Sequence, residues 1–339
     1  MRTKRIIYLF YYLKRLDKKK FGLFLNHAAL ESGSSKPSLL IDVVASALIF
    51  NISILDYFYF RFYSKDKNER RKWAGTGYLY EYQLKMNPKG ARFVLEDKIA
   101  FLNKFKPFVN RRFFDLATLR SDLKPLEELL SNSTGKLVLK GSRGQVGAEV
   151  DVISCHEFTP SGLMEYMLEN KFDLLEEYVV QHPSLMDLSP SGLNTVRIFT
   201  QIHEGEVRFL GARLRISVNS SVDNMGAGNL AAPVDMETGV VSGPGVYSDI
   251  TKEDQDVHPV TGRPISGFVI PNWHEALDLS RRSALFTPEN RSVGWDIAIT
   301  EKGPELIEGN HNWCKLLWQL PLKKGMKDEL EKYIWWKKS

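Results

Sequence analysis

A chain of 339 residues is long for one small core and suits two lobes or three. Its 43% apolar and 12% aromatic content excludes global disorder, and a formal charge of +5 is too small to argue for nucleic acid as a partner. The 2 cysteines, Cys155 and Cys314, form no CxxC and accompany no HExxH or repeated Cys/His spacing, which argues against structural zinc and suits a reducing compartment.

The N-terminus is basic. Arg2, Lys4, Arg5, Lys14, Arg15, Lys18, Lys19 and Lys20 stand against Asp17 alone, around a short apolar run from Ile6 to Leu13. That run is short for a signal peptide and has no small-residue cleavage site. Two readings stay open: an amphipathic helix on an anionic membrane, or a solvated basic helix packed on its own protein. Residues 38–63 are the one candidate span, but Asp42, Asn51 and Asp56 interrupt it, so a buried helix or helix pair is expected. Residues 32–37, SGSSKP, read as a loop and 65–72, KDKNERRK, as a solvated charged boundary. Residues 1–85 are therefore expected to form a mostly helical, basic and aromatic region.

Beyond Glu96 the spacing of Ile99, Leu102 and Phe105 predicts a helix from Lys98 to about Lys106, and Leu123, Leu126, Leu129 and Leu130 predict another over 121–131. Residues 136–140 read as a strand entering a glycine loop at 141–147. A helix near 161–170 leads into an apolar strand over 174–180. The second half is strand-rich, with strands over 196–201, 207–216 and 295–300, a hairpin turn at Glu204-Gly205-Glu206 and a turn at Gly303-Pro304 before Glu305 to Glu308. A helix is expected from Trp273 to Phe286. The fold class is α+β, with a small glycine-loop lobe at 86–185, a larger sheet lobe at 186–325 and an amphipathic C-terminal tail at 326–339.

Two groups of residues carry chemistry. GSRGQVG over 141–147 lacks the ending of a P-loop, and glycines also serve plain turns. Lys140 immediately before it can meet phosphate charge while the loop's N–H groups cover phosphate oxygens, and Arg143 adds a second cation. On adjacent antiparallel strands Asp296 and Glu308 project into one cleft, and Asn310 shares the face of Glu308. Two carboxylates and an amide oxygen are hard ligands suited to Mg²⁺; the plain alternative is two turn-associated acids beside an asparagine.

Taken together, LVLKGSRGQVG, SGLNTVRIF, DNMGAGN, HPVTGRPI, IPNW and above all VGWDIAITEKGPELIEGN resemble the ATP-grasp superfamily. The likeness is closest to its sugar-transfer-associated branch, runs from about Glu96 to about Trp313, and extends to α-L-glutamate ligase-like carboxylate-amine ligases. It implies an ATP-grasp fold in which two α+β lobes clasp ATP. Lys140 is then the phosphate-gripping lysine, with Gly141, Ser142, Arg143, Gly144 and Gly147 as the phosphate loop and Lys98 as an earlier ATP contact. Glu176-Glu177-Tyr178-Val179 becomes the adenine hinge, with Glu177 at the base amino group. Asp296, Glu308 and Asn310 become the metal trio for Mg²⁺, with Mn²⁺ as the alternative. Asn194 stands near the family's ribose position.

The resemblance further implies that ATP phosphorylates a carboxylate and that an amine displaces the phosphate. Arg197 is the candidate for stabilising the oxyanion. Arg213 and Arg215 share one strand face by the period-two rule, suiting a cleft wall that binds a carboxylate or sugar acid. Asp223, Asn224 and Asn229 sit in a glycine-rich loop suited to a sugar or acceptor. His311, beside Asn310, and then His258 are candidates for acid/base work. The expected partners are an amino acid or uronic-acid sugar, an amine acceptor and the glycosyltransferase machinery of a cell-surface polymer. The expected location is cytoplasmic, peripheral to the inner membrane face. Met326, Leu330 and Ile334, followed by Trp335, Trp336, Lys337 and Lys338, are expected to dock there too. The competing readings are a sugar kinase and a non-catalytic ATP-binding assembly protein.

Overall fold

The computed structural model describes residues 2–143 and 150–334. Gly144 and Gly147 of the expected phosphate loop, and Trp335 to Lys338, lie outside the described residues.

The N-terminal region is helical, as its composition predicts: α1 Arg2–Lys14, α2 Lys18–Ser32, α3 Lys36–Phe50, α4 Ile54–Tyr59, α5 Lys67–Arg71 and α6 Thr76–Met86. Its boundaries follow from local chemistry. Asp17 and Ser35 cap α2 and α3, Asn51 at φ 57° ends α3, and reciprocal Ser53–Asp56 and Asp66–Glu69 capping boxes start α4 and α5. Residues 38–63 thus form a helix pair around a core of Phe24, Leu39, Val43, Phe58 and Phe62. The charged run 65–72 is largely exposed, as expected, apart from Lys65 and Arg70. It carries α5, and Arg70 clamps Asp42 through bonds of 2.7 and 2.8 Å. Asp56 is fully buried; it accepts from Thr76 N and Oγ1 at 2.7 Å and lies 3.1 Å from Lys315 Nζ, which ties this region to the C-terminal part of the chain.

Two further helices follow, α7 Lys89–Glu96 and α8 Lys98–Lys104. Then comes a small antiparallel sheet of β1 Phe113–Asp115, β2 Lys136–Lys140, β3 Val150–Ser154 and β4 Leu174–Glu177, in the order β1-β4-β2-β3. One face packs through Leu137, Leu139 and Leu175 on α9 Leu116–Ser121, α10 Lys124–Leu130 and α11 Pro160–Glu169. The helix expected over 121–131 is α10, which starts at Lys124 because Asp122 leaves helical geometry and Pro125 opens the helix; α9 precedes it over residues the pattern does not reach. The other face carries Val138, Lys140 and Glu176. After β4 the chain loses its strand partners and crosses to α12 Pro183–Leu188, so the expected strand over 174–180 ends at Glu177.

The large sheet is antiparallel, in the order β7-β6-β5-β8-β9, from β5 Thr195–His203, β6 Glu206–Ile216, β7 Leu230–Val234, β8 Ser292–Thr300 and β9 Gly303–Asn310. Glu204 and Gly205, at φ 52° and 80°, make the β5–β6 hairpin turn. Pro233 is tolerated in β7 because that strand is an edge. One face of the sheet, with Val196, Ile198, Leu214, Trp295 and Ile297, packs under α13 Trp273–Phe286. Phe101 and Phe105 join this core, so α8 belongs with the large sheet and not with the glycine-loop lobe. The other face meets α6, α14 Lys315–Gln319 and α15 Lys327–Ile334 through Phe199, Leu210, Tyr82, Trp318 and Leu330. Leu330 is fully buried and Met326 and Ile334 pack beside it, so the apolar face expected to dock on a membrane is used internally.

Candidate functional site

Strand register builds the centre of the site. Arg213, Arg197, Asp296 and Glu308 are direct cross-strand partners, forming one transverse row over β6, β5, β8 and β9. The hairpin anticipated between the two acids is present, and a bulge after Asp296 sets Glu308 opposite it. Gly294 makes room for the row: a Cβ there would lie 2.9 Å from Arg197 Cδ and 3.0 Å from Trp313 Cβ.

The inner part of the row is a closed ion network. Arg197 grips Asp296 through Nε and, at 2.8 Å, through Nη2. Arg215 reaches Asp296 Oδ2 at 2.7 Å and Asp223 Oδ1 at 2.7 Å. Asp223 in turn accepts from Thr195 N at 2.9 Å and Thr195 Oγ1 at 2.5 Å. Burial alone would raise the Asp296 carboxyl, but the two guanidiniums outweigh it and hold it well below the usual carboxylate range. Asp223, facing a single arginine, is left above that range by burial. Arg197 Nη1 has no partner among the described residues.

The outer part is different. The Glu308 side chain is 41% exposed, and its Oε1 accepts from Asn310 Nδ2 at 3.1 Å. Partial burial and the facing Asp296 carboxylate push its pKa up. The Asn310 carboxamide oxygen makes no hydrogen bond among the described residues.

A second assembly sits on the small sheet. Lys140 Nζ lies 2.7 Å from Glu176 Oε1, and Arg111 Nε bonds the other Glu176 oxygen. Arg111 also reaches Glu305 Oε1 at 2.8 Å, Leu306 O at 2.7 Å and Ile307 O at 3.3 Å. It therefore joins the Lys140–Glu176 pair to β9, beside Glu308. The two cations overcome the burial penalty on Glu176 and lower its pKa to about 2. Lys98 Nζ donates to Gly141 O at 2.7 Å, and Lys98 N donates to Ser142 O at 3.0 Å, so Lys98 is at the mouth of the glycine loop. Ser142 N and Oγ both donate to Asp173 at 2.6 Å, and Arg143 is largely exposed 3.6 Å from Asp97.

Residues 79–333 match the sequence profile of the sugar-transfer associated ATP-grasp family. The chain belongs to that family. No curated protein matches it by sequence. Among solved structures, D-alanyl-alanine synthetase A from Vibrio cholerae aligns at 11% identity and TM-score 0.41, over 72% of this chain and 61% of that one. L-amino acid ligase from Bacillus licheniformis aligns at 11% and 0.40, over 70% and 49%. Carboxyaminoimidazole ribonucleotide synthase from Aspergillus clavatus, complexed with ATP, aligns at 12% and 0.41, over 66% and 47%. The chain thus spans about half to three-fifths of the length of these structures.

Several ATP-grasp residues stand differently from their expected places. Arg213 leaves the arginine pair: it is buried, with Nε and Nη2 on Trp318 O and Nη1 on Ala212 O, and no carboxylate of the described residues pairs with it. Burial lowers its pKa to about 9. Asn194 is fully buried, donating to Gln181 Oε1 and Ser189 O at 2.8 Å and accepting from Ser217 N at 2.8 Å, so no group is left for a ribose. Glu177 turns to Arg112, at 2.8 Å, and Glu176 takes the Lys140 side. Tyr178 and Val179 follow in the irregular segment between β4 and α12, with the Lys136 ammonium over the Tyr178 ring. Asn229 and His258 are buried and pin backbone, Asn229 through Val218 N and Val222 O, and His258 at Ser217 O. His311 pairs with Glu96 at 3.0 Å, and burial lowers its pKa.

Arg111 escaped the sequence reading, since Arg111-Arg112 before a short strand carries no motif. Glu176 was legible in principle, because period two sets it, and not Glu177, on the face of Lys140. Among the described residues no group of 3 or more His, Cys, Asp or Glu stands ready for a metal ion. The expected trio uses an amide as its third donor. Its chemistry fits a hard divalent cation: two facing carboxylates, one with a raised pKa, and an unused carboxamide oxygen.

Proposed function

We propose that this chain is an ATP-dependent carboxylate-amine ligase. In this reading a carboxylate oxygen attacks the γ-phosphorus of ATP and ADP leaves. An amine then adds to the acyl phosphate carbon, phosphate departs with the C–O bond electrons, and the amine loses a proton to give an amide. The family implies ATP and Mg²⁺. The observation that carries the reading is the cross-strand row of Arg197, Asp296 and Glu308, tied through Arg111 to the Lys140–Glu176 pair.

Roles follow from position. Lys140, Lys98 and the loop from Gly141 through Arg143, continued by Gly144 and Gly147, bind phosphates. The segment Glu176 to Val179 meets the base, with Glu176 as the side-chain contact in preference to Glu177. Asp296, Glu308 and the Asn310 oxygen hold Mg²⁺, or Mn²⁺ in its place. When bound, the ion offsets phosphate charge during transfer. Arg197 presents Nη1 to the acyl oxygen where negative charge develops, and Arg215 orders Arg197 by sharing Asp296.

The acid is an amino acid or uronic-acid sugar and the acceptor an amine. The product enters a surface polysaccharide built with glycosyltransferases, and the reaction is cytoplasmic, with both cysteines free. Nucleic acid has no part in it. The decisive assay measures ADP and phosphate across uronic acids paired with amino acids. Stoichiometric ADP, phosphate and amide are expected. ADP without phosphate reassigns the chain as a sugar kinase, and ATP binding without turnover as an assembly protein.

A further inference from the structure

The N-terminal helices carry apolar surface with no partner among the described residues. On α1, Ile6, Ile7, Phe10 and Leu13 point outward, with Ile7 62% and Phe10 69% exposed. At helical spacing Ile6, Phe10 and Leu13 form one stripe with Ile7 at its edge, while Tyr12 on the far side and Leu9 on the flank between pack into the aromatic core of the region. The helix is therefore apolar on both sides. Its inner side is anchored: Arg5 Nη1 donates to Leu48 O at 2.9 Å and Ile49 O at 2.7 Å, at the C-terminal end of α3. The neighbouring α3 repeats the pattern. Leu39, Val43 and Ala47 are buried, and Leu40, Ile41 and Val44 are exposed, Ile41 by 73%.

Charge identifies what covers this surface. Lys4, Lys14, Arg15, Lys18 and Lys19 are exposed on α1, on α2 and between them. The single acid of that stretch, Asp17, is committed to capping α2. An apolar ridge flanked by cations is complementary to an anionic lipid surface, where acyl chains take the ridge and headgroups the lysines. These helices as folded suit a surface position better than a span. No single helix among the described residues is long and apolar enough to cross. The bent pair α2 and α3 would have to surrender its buried core side chains and the Asp42–Arg70 and Asp42–Tyr57 bonds.

We infer that α1 and α3 lie in the plane of an anionic bilayer, inserting Ile6, Ile7, Phe10, Leu13 and Ile41, with the basic residues at the headgroups. This is independent of the ligase reading, because none of these residues touches the Arg197–Glu308 row.

The experiment is flotation of the full chain with vesicles of phosphatidylcholine and phosphatidylglycerol, against phosphatidylcholine alone. The wild type is expected to float with the anionic vesicles and not with the neutral ones. Ile7→Glu/Phe10→Glu is expected to lose at least tenfold in partitioning, with circular dichroism unchanged because both positions are exposed. Exchanging Lys14, Arg15, Lys18 and Lys19 for Gln is expected to lower binding by about fivefold per residue. Failure of the wild type to float, equal binding to both vesicles, or unchanged binding by the Glu pair overturns the proposal. So does size-exclusion showing that the Glu pair turns a dimer into a monomer, which would make the ridge an interface between copies. ATP turnover on soluble substrates is expected to be equal in all these variants.

Discussion

Asp296 and Glu308 face each other in register, yet the sheet treats them oppositely. Asp296 lies over the sheet's middle, where two guanidiniums close on it and keep it ionised. Glu308, one strand outward on the edge strand β9, meets Asn310 at 3.1 Å and Arg197 only at 4.0 Å, and its ionised form is disfavoured. The fold stabilises the first carboxylate and leaves the second uncompensated. Local conflict of this sort marks the place where a ligand completes the structure.

Breaking the inner half gives the largest expected effect. Asp296→Ala leaves Arg215 with Asp223 alone and Arg197 with only Glu308 at 4.0 Å, a loss of about 3–5 kcal/mol for a stranded buried charge. Urea unfolding measures it, and an unchanged midpoint would show that Asp296 serves ligand binding alone.

Arg111→Met comes next. It strips a cation from Glu176 and Glu305 together, but Lys140 still faces Glu176, and the backbone N–H groups of Asn110 and Arg111 still face Glu305. The expected loss is about 3 kcal/mol, the lower end for a broken buried pair. Because Arg111 also holds Leu306 O and Ile307 O next to Glu308, ATP affinity should fall more in the presence of Mg²⁺ than in its absence. Isothermal titration with and without Mg²⁺ tests this, and equal losses would reduce Arg111 to a structural bridge.

These two residues also mark the limit of what sequence makes legible. Period two puts Glu308 and Asn310 on one strand face and pairs Arg213 with Arg215, but an unbroken hairpin through the Gly303 turn would set Ile307 opposite Asp296; the bulge after Asp296, which no local pattern announces, brings Glu308 there. Alternation assigns a face, but it does not say which acceptor a long side chain finds there. Arg213 meets the Trp318 carbonyl, contributed from 105 residues away, and turns from the row. Arg111 and Glu305 lie 194 residues apart, and Asp56 meets Lys315 across a comparable distance in the chain. Asn194 has the composition of a ligand contact but is taken up by three backbone segments that need its amide. Local patterns predict the longer elements; β1, β3, β7, α7, α9, α12 and α14, each of eight residues or fewer, carry too short a pattern to be read.

The smallest expected effect on stability separates the two carboxylates most sharply, because its sign is reversed. Glu308→Gln removes a charge that the metal-free fold disfavours, so its Tm without metal should rise slightly, whereas Asp296→Ala lowers it. A carboxyl whose pKa is raised on folding binds its proton more tightly in the native state. The wild type should therefore gain stability as pH falls from the raised value toward the ordinary glutamate range near 4.3, and lose it as pH rises through that window. Asp296 has the opposite shift, and its contribution is lost only in stronger acid, below the usual aspartate range. In Glu308→Gln the first slope should vanish while the second remains. Mg²⁺ with ATP should raise the wild-type Tm at neutral pH, doing by charge compensation what acid does by protonation, and should leave the Tm of Glu308→Gln nearly unmoved. Turnover of that variant should fall by about 100-fold or more, as for removal of a group that orders the transferring phosphoryl. A variant that is stabilised without metal but still responds fully to Mg²⁺-ATP would dissociate the strain at Glu308 from metal binding.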